Sequence, residues 1–266
     1  MTRALIFDCD GVLADTERDG HLPAFNETFE HFGLPVRWSE ADYASLVRIG
    51  GGKERLSSVL TPSFIERAGL PADPDELRTI VAGWHAFKTE RYTTRIRAGE
   101  LPGRPGIARI VQEAHAAGWR LAVASTSAEE SVRAVLEHVV GHEAAAWFSV
   151  YAGDTVPAKK PAPDIYLLAL ADLRVASADA IVVEDSAIGL RAAVAAGITT
   201  VVTISSYTTH EDFTRAALVV DSLGDLPSTP SRIIQNPARV ADPGQVGLDT
   251  LITLAHHSPT IPQGRP

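Results

Sequence analysis

The chain has 266 residues, of which 45% are hydrophobic, and its formal net charge at pH 7 is −9. A chain of this length can bury a substantial core, and we expect a core domain with a second domain inserted into it. Binding to nucleic acid or to an anionic membrane surface requires concentrated Lys and Arg, which this acidic sequence lacks. We therefore expect neither as a partner.

The first predicted element is a short apolar strand, Ala4–Phe7, followed directly by Asp8-Cys9-Asp10-Gly11. Ligands of open parallel sheets bind at the carboxyl ends of the strands, so these two acids lie where chemistry is expected. Their spacing lets one carboxylate attack while the other serves as acid or base. Taken alone, the same residues also describe a solvated turn, since Asp and Gly are favoured in turns.

Cys9 is the only cysteine, which rules out an intrachain disulfide and a structural zinc held by several cysteines. The first residues lead into an apolar run too short for a signal sequence, and the sequence contains no apolar run long enough to span a bilayer. We therefore expect a cytoplasmic protein, with a monomer as the simplest state.

Residues 16–97 carry a helical pattern that no strand signal interrupts. Apolar residues at helical spacing predict amphipathic helices in the stretches 25–34, 44–49, 57–60 and 77–92. We interpret this segment as an all-helical domain inserted after the first strand, where it would cap the site.

From residue 98 the pattern alternates between helix and strand. Helices are predicted at 107–117, 128–139, 165–173 and 188–196, and strands at 121–124, 150–152, 180–183 and 200–204. Such alternation builds right-handed βαβ units. The predicted fold class is α/β, with a Rossmann-like parallel-sheet core of residues 1–15 and 98–225 and the all-helical cap of residues 16–97.

Residues 226–266 are rich in proline, a composition that argues against regular structure. Only residues 248–256 show a weak helical period. We interpret this Pro-rich C-terminal tail as peripheral.

A hydroxyl group follows the strand predicted at 121–124. Ser125 ends this strand and precedes Thr126 and Ser127. Together they could offer a phosphate a hydroxyl group and the free backbone N–H groups of the next helix. The alternative is an ordinary serine N-cap.

Charged residues follow two later strands. Lys159 and Lys160 precede prolines that would fix one ammonium group in the site, although an isolated lysine pair is usually solvated. Glu184 and Asp185 end a buried strand, which is costly unless they bind a hard cation or cap the next helix. Four predicted strand ends would thus bring acids, a hydroxyl and an ammonium group together.

In chain order these groups resemble the four motifs of the haloacid-dehalogenase superfamily, and the resemblance covers roughly residues 1–225. It implies a phosphohydrolase that uses Mg²⁺, with Asp8 as nucleophile and Asp10 as acid and base. Ser125 and Lys160 would hold the phosphate. The implied metal ligands are Asp8, the backbone carbonyl of Asp10 and Asp185, with Glu184 assisting.

The helical insert resembles the cap of the β-phosphoglucomutase-like subgroup, and several segments resemble the CbbY-type xylulose-1,5-bisphosphate phosphatases. The segments are Glu17-Arg-Asp-Gly-His21, Ala24-Phe-Asn-Glu-Thr-Phe29, Gly50-Gly-Gly-Lys53-Glu-Arg55, Lys88-Thr-Glu-Arg91 and Tyr207-Thr-Thr-His-Glu-Asp-Phe213. The resemblance implies a small sugar phosphate as substrate, in particular a ketose bisphosphate.

The glycine-rich cap segment is a candidate substrate loop. Gly51 and Gly52 let backbone N–H groups approach oxygens closely, while Lys53 and Arg55 could supply charge for a second phosphate. The alternative is a flexible turn between helices.

Three further cap residues are candidates for binding the sugar. Glu17 and His21 share a face of the first predicted cap helix and could bind sugar hydroxyls. Lys88 is assigned to the substrate in preference to Arg91, which lies one turn away.

Three other functions remain open at this point. A mutase would use the same aspartates but return the phosphoryl group to the sugar. A sugar-phosphate-binding protein could keep the fold without turnover. A 2-haloacid dehalogenase would need neither a metal nor Asp10.

Overall fold

The computed structural model describes residues 2–241 and 244–256. Its strands are β1 Ala4–Phe7, β2 Arg120–Ser125, β3 Phe148–Ala152, β4 Ala180–Glu184, β5 Thr199–Thr203, β6 Leu218–Val220 and β7 Ile233–Gln235. They form one sheet in the order β3-β2-β1-β4-β5-β6-β7. Neighbouring strands from β3 to β6 are parallel, and β7 runs antiparallel to β6.

The α-helices surround this sheet or form the inserted domain. They are α1 Leu22–His31, α2 Glu40–Leu46, α3 Gly52–Ser57, α4 Pro62–Arg67, α5 Pro74–Arg97, α6 Ile107–Ala116, α7 Glu129–Val140, α8 His142–Ala145, α9 Asp164–Leu173, α10 Ala187–Ala195 and α11 Leu248–His256. A π-helical turn, Glu17–His21, leads into α1. No helix in the described ranges is long and apolar enough to cross a membrane.

The central strands are buried on both faces, which explains their continuous apolar sequences. In β1, Leu5 and Phe7 face one apolar cluster, whereas Ala4 and Ile6 face another. The first cluster includes residues of α6 and α7, and the second includes residues of α9 and α10. The sheet is therefore sandwiched between helices, and its strand ends lie at one edge where a site can form.

The inserted domain has its own apolar core, with Phe25, Phe29, Tyr43 and Trp84 buried. Its regular elements are all helical, and the predicted α/β fold with an all-helical cap is confirmed. The helix predicted at 57–60 is wrong: α3 ends at Ser57 and α4 begins at Pro62. The Thr61 hydroxyl caps α4, and proline at the first helical position favours a new helix there.

Two adjacent chain segments connect the cap to the core. Ala14 forms an antiparallel bridge with Gly103. The N–H group of Arg104 donates to the carbonyl of Leu13 at 2.9 Å. The outgoing and returning segments are thus tied to one another beside the carboxyl end of β1.

The interpretation of the C-terminal tail as peripheral is wrong for its described part, whereas the helical period noted at residues 248–256 corresponds to α11. Strand β7 extends the sheet, and α11 buries Leu251 and Leu254 completely in the main core. Val246 is buried in the same cluster. Apolar burial outweighs the local effect of the prolines, which lie outside the two regular elements. Residues 242–243 and 257–266 of the predicted tail lie outside the described residues.

Candidate active site

A cavity lies between the carboxyl ends of the core strands and the cap. Most residues predicted from the sequence line it, namely Asp8, Asp10, Glu17, His21, Gly51, Gly52, Arg55, Lys88, Ser125, Thr126, Ser127, Lys160, Glu184 and Asp185. The structure therefore brings together residues that are up to 177 positions apart in the sequence, from Asp8 to Asp185.

Asp8 occupies the centre of the core side of this cavity. Its N–H group donates to the carbonyl of Val183 at 2.9 Å, which extends the β1–β4 pairing to the end of the strand. Its Oδ1 atom accepts a hydrogen bond from Lys160 Nζ at 2.7 Å. Burial raises the pKa of Asp8 to about 7, although the charge of Lys160 acts in the opposite direction.

The carboxylates of Asp8, Glu184 and Asp185 each place an oxygen within 4.8 Å of the others. Burial, followed by the charges of Glu184 and Asp8, raises the pKa of Asp185 well above its usual value. Ser205 donates to one oxygen of Asp185 at 2.6 Å. Clustered buried acids with oxygen donors fit a hard divalent cation such as Mg²⁺, which would relieve their mutual repulsion.

Gly11 makes room for this acidic cluster. Its φ is +78°, and a Cβ atom at this position would lie 2.0 Å from Oδ2 of Asp185. Both the backbone conformation and the close approach require glycine. The conformation of the turn after β1 is therefore constrained by the nearby Asp185 carboxylate and not only by local turn preference.

Lys160 is held between two acids. Its Nζ atom lies 2.7 Å from Oδ1 of Asp8 and 2.7 Å from Oε1 of Glu184. Burial favours the neutral amine, but the adjacent charges of Asp8 and Glu184 outweigh it and hold the pKa of Lys160 well above its usual value. Of Lys159 and Lys160, Lys160 is thus the one that lines the cavity beside Asp8.

Glu184 is surrounded by donors. Besides Lys160, the hydroxyl of Tyr166 donates to Oε1 at 2.8 Å, and the N–H group of Asp185 donates to Oε2 at 3.0 Å. The N–H group of Ser186 also donates to Oε2, at 3.3 Å. Both carboxylate oxygens are therefore engaged by the protein, an arrangement that orients Lys160.

Asp10 accepts hydrogen bonds from both domains. Thr16 Oγ1 lies 2.5 Å from Oδ1, and the hydroxyl of Ser127 donates to Oδ2. His21 Nε2 and the hydroxyl of Tyr92 lie 2.8 Å and 3.3 Å from Oδ1. Burial alone would raise the pKa of Asp10, but the charge and hydrogen bonds of His21 and the hydroxyl donors hold it far below its usual value. Asp10 is therefore held as the carboxylate.

Lys88 extends this contact chain into the cap. Its Nζ atom lies 2.6 Å from Nδ1 of His21. Burial lowers the pKa of Lys88 to about 8, although the charges of Asp10 and Glu17 act in the opposite direction. Arg91 leaves the site and pairs with Glu27 at 2.9 Å.

Glu17 and Arg55 line the cavity but bind one another. Nη1 and Nη2 of Arg55 lie 2.8 Å and 2.9 Å from the two oxygens of Glu17. The hydroxyl of Tyr43 donates to Glu17 at 2.5 Å. Burial opposes ionisation, but the charge of Arg55 outweighs it and lowers the pKa of Glu17. This pair forms part of the cavity wall on the cap side.

Lys53 lies apart from the other predicted residues. Its Nζ atom lies 2.7 Å from Asp154 of the core, and its side chain is 45% exposed. Lys159 binds Glu54 at 2.6 Å and Asp154 at 3.2 Å. The charges of this cap loop therefore contact the core surface beside the cavity.

The hydroxyl residues after β2 are closely connected. The N–H group of Ser127 donates to Oγ of Ser125 at 3.1 Å, and α7 begins two residues later. Ser125, Thr126 and Ser127 all line the cavity. The Ser127 hydroxyl, which the sequence assigns to a phosphate, is bound to Asp10.

Sequence reasoning missed several residues of the site. Thr16 and Tyr92 contact Asp10, and Tyr43 orients Glu17. His85 lines the cavity, and burial together with Lys88 lowers its pKa to about 4. The spacing of His85, Lys88 and Tyr92 places them on one face of α5, which is the signal that could have found them.

Comparison with known proteins gives one family for most of the chain. The family described as haloacid dehalogenase-like hydrolase matches residues 2–197. The chain is 48% identical over 228 residues to the CBBY-like protein of Arabidopsis thaliana, covering 85% of this chain and 71% of that protein. It is 43% identical over 227 residues to the protein CbbY of Cereibacter sphaeroides, covering 85% and 94%.

A solved structure agrees with these relatives. CbbY from Rhodobacter sphaeroides, a mutant in complex with xylulose-(1,5)bisphosphate, is 41% identical with a TM-score of 0.76, covering 85% of this chain and 97% of that one. The superfamily resemblance seen in the sequence is confirmed. The chain therefore belongs to the family of haloacid dehalogenase-like hydrolases.

Proposed function

We propose that this phosphoric monoester hydrolase acts on a ketose bisphosphate, such as xylulose 1,5-bisphosphate, with Mg²⁺ and through an aspartyl-phosphate intermediate on Asp8. The observation that carries the proposal is the arrangement around Asp8. Its carboxylate lies against Lys160 and within the acidic cluster, and Asp10 follows two residues later with its own set of donors. Nucleophile, charge compensation and acid/base thus share one cavity.

In the first step, an oxygen of Asp8 attacks phosphorus and the bond to the sugar oxygen breaks. The electron pair goes to that oxygen, which takes a proton from Asp10. Lys160, Ser125 and the N–H groups preceding α7 bind the phosphoryl oxygens as their charge shifts. The approach of an anionic phosphoryl group raises the proton affinity of Asp10, which enables it to carry this proton.

In the second step, Asp10 takes a proton from water as the water oxygen attacks the aspartyl phosphate. Inorganic phosphate leaves and the carboxylate of Asp8 is regenerated. The hydrogen bonds from Thr16, Ser127 and His21 keep Asp10 ionised once it has given up its proton, so that the carboxylate is available to accept one from water.

Asp8, Asp185 and the backbone carbonyl of Asp10 would hold Mg²⁺, with Glu184 assisting mainly by orienting Lys160. When bound, the cation neutralises charge on the phosphoryl group and the nucleophile. This division of roles follows from the donors that already surround Glu184.

The bisphosphate assignment draws support from two sources. The relative CbbY from Rhodobacter sphaeroides carries xylulose-(1,5)bisphosphate in its structure. In this chain, the cap wall of the cavity presents Gly51, Gly52, Arg55 and Lys88, which suit a second anionic group. His21 and Glu17 would contact the sugar hydroxyls between the two phosphates.

A panel of ketose and aldose mono- and bisphosphates, assayed with Mg²⁺ for phosphate release, tests the proposal. We expect the highest kcat/KM with a ketose bisphosphate and one inorganic phosphate per substrate consumed. An isomeric sugar phosphate without phosphate release would identify a mutase instead. Full activity in EDTA would contradict the cation requirement.

A further inference from the structure

Arg104 makes an unusual set of contacts with backbone segments next to the acidic cluster of Asp8, Glu184 and Asp185. Its guanidinium group donates to four backbone carbonyls, those of Gly11, Thr203, Ile204 and Asp221. The distances from the guanidinium nitrogens to the carbonyl oxygens of Thr203 and Ile204 are 3.3 Å and 2.7 Å. These carbonyls come from the turn after β1, the end of β5 and the end of β6, so one side chain joins three strand ends.

Two of these segments press directly against Asp185. A Cβ atom on Gly11 would lie 2.0 Å from Oδ2 of Asp185 and 3.1 Å from Cβ of Ser205. Ser205, which follows Ile204, donates to the same Oδ2 atom at 2.6 Å. The positions of Gly11 and Ser205 relative to one another therefore define where the Asp185 carboxylate lies.

The guanidinium group also provides hydrogen-bond donors for backbone carbonyls at the ends of β5 and β6. The N–H group of Ile204 still donates to Val220, but the strands then separate, and the carbonyls of Ile204 and Asp221 turn toward Arg104. Burial lowers the pKa of Arg104, while the charges of Asp185, Asp15 and Asp221 act in the opposite direction. A planar fork of donors can satisfy several carbonyls at once, which a lysine ammonium group does less well.

We propose that Arg104 is a positioning residue for the acidic cluster: by binding the carbonyls of Gly11 and Ile204 it fixes the two segments that flank Asp185 and thereby sets the affinity for a divalent cation. The inference rests on the cation site of the proposed function but not on the identity of the sugar. Residues that orient metal ligands from outside the ligand set commonly change metal affinity by about 10-fold to 100-fold.

Arg109 is a matched control on the neighbouring helix. Its guanidinium group also binds backbone carbonyls, those of Leu223, Gly224 and Val246, and pairs with Glu113. It therefore shares the carbonyl-binding role of Arg104 without contacting Gly11 or Ile204. Loss of either arginine should lower the melting temperature, but only loss of Arg104 should alter the acidic cluster.

The test measures the affinity of the full chain for Mn²⁺ without substrate. The concentration of free Mn²⁺ is monitored by its electron paramagnetic resonance signal. We expect Arg104→Lys and Arg104→Ala to weaken Mn²⁺ binding by about tenfold or more, and Arg109→Lys to leave it within about twofold. Guanidinium at millimolar concentration should partly restore binding in Arg104→Ala, since a surface pocket lined by Gly103, Arg104 and Asp225 gives it access.

Circular dichroism establishes that each variant is folded, and Arg104→Lys keeps the test available if the alanine variant does not fold. Unchanged Mn²⁺ affinity in a folded Arg104 variant would overturn the proposal, as would equal weakening in the Arg109 variant. Absence of Mn²⁺ binding to the unmodified chain would also overturn it. If the affinities follow the expected pattern but no sugar phosphate is hydrolysed, the proposed function fails and the role of Arg104 stands.

Discussion

Nε2 of His21, at the start of the cap, lies 2.8 Å from Oδ1 of Asp10, which follows the first core strand. His21 is itself contacted by Lys88 from α5, so a continuous polar chain runs from the cap into the core. The protonation properties of Asp10 therefore depend on the cap being in place over the site. Cap closure would in this way assemble the acid/base and exclude water at once.

The first prediction concerns the pH dependence of substrate capture. Because burial lowers the pKa of Lys88 to about 8, this side chain loses its positive charge as pH rises through that value. An anionic substrate is then bound less well, and kcat/KM should fall above about pH 8. In Lys88→Met, kcat/KM should be lower than in the unmodified protein, and the fall in kcat/KM above about pH 8 should be absent. If the variant shows the same fall in kcat/KM at high pH, the fall is caused by the titration of another group.

The second prediction links cation binding to stability. The pKa of Asp8 is raised from 3.8 to about 7, so between these values the native state holds a proton that the unfolded chain has lost. Without a cation, the free energy of unfolding should therefore fall as pH rises through this window. Mg²⁺ binds the ionised carboxylates and should raise the melting temperature more at pH 8 than at pH 5.

Asp185→Asn is the control for this effect, because it removes one proposed ligand and one of the mutually repelling charges. The variant should show a smaller response to Mg²⁺ at pH 8. An equal response in both proteins would place the cation elsewhere.

The third prediction separates Glu184 from the cation ligands. Glu184→Gln removes the charge that, with Asp8, holds Lys160. We expect kcat to fall about tenfold or more, or about 1.4 kcal/mol in the activation barrier, because Lys160 is less well oriented for the transferring phosphoryl group. The Mg²⁺ concentration for half-maximal activity should change less than in Asp185→Asn. A larger change in Mg²⁺ requirement for Glu184→Gln would make Glu184 a principal ligand.

The fourth prediction concerns Lys53, which the sequence assigns to a second phosphate and the structure pairs with Asp154. If this ion pair connects cap and core, Lys53→Met and Asp154→Asn should raise KM equally for mono- and bisphosphates. Exposed ion pairs contribute about 0.2–1 kcal/mol, so each effect should be less than about fivefold. A larger rise in KM for bisphosphates, seen only in Lys53→Met, would restore the phosphate role.

Much of the core site could be predicted from the sequence, because parallel strands end at one edge and Asp8, Ser125, Lys160 and Asp185 follow such strands. The predicted helices and strands of the core lie close to the observed ones for the same reason. Periodicity did not reveal which charged groups would pair with each other. Arg55 and Glu17 illustrate this limit, since the sequence assigns each to the substrate but does not indicate that the two also form an ion pair with one another.

The C-terminal residues show a different limit. Proline content outweighed the apolar spacing of Leu251 and Leu254 in the prediction, whereas their burial in the main core decides the fold. Local composition describes conformational preference, but tertiary packing adds the larger free energy. Arg104 likewise carried no signal, because its partners are backbone carbonyls that any sequence supplies.

The most direct test of the account is to trap the phosphoryl group on the protein. With a substrate labelled in the transferring phosphate, acid quenching during turnover should leave label on the peptide that contains Asp8. Asp10→Asn should slow both formation and hydrolysis of the labelled protein because both steps lose their proton carrier, and Asp8→Asn should abolish both label and turnover. Normal phosphate release without protein-bound label, together with near-normal turnover of Asp8→Asn, would contradict the central role of Asp8.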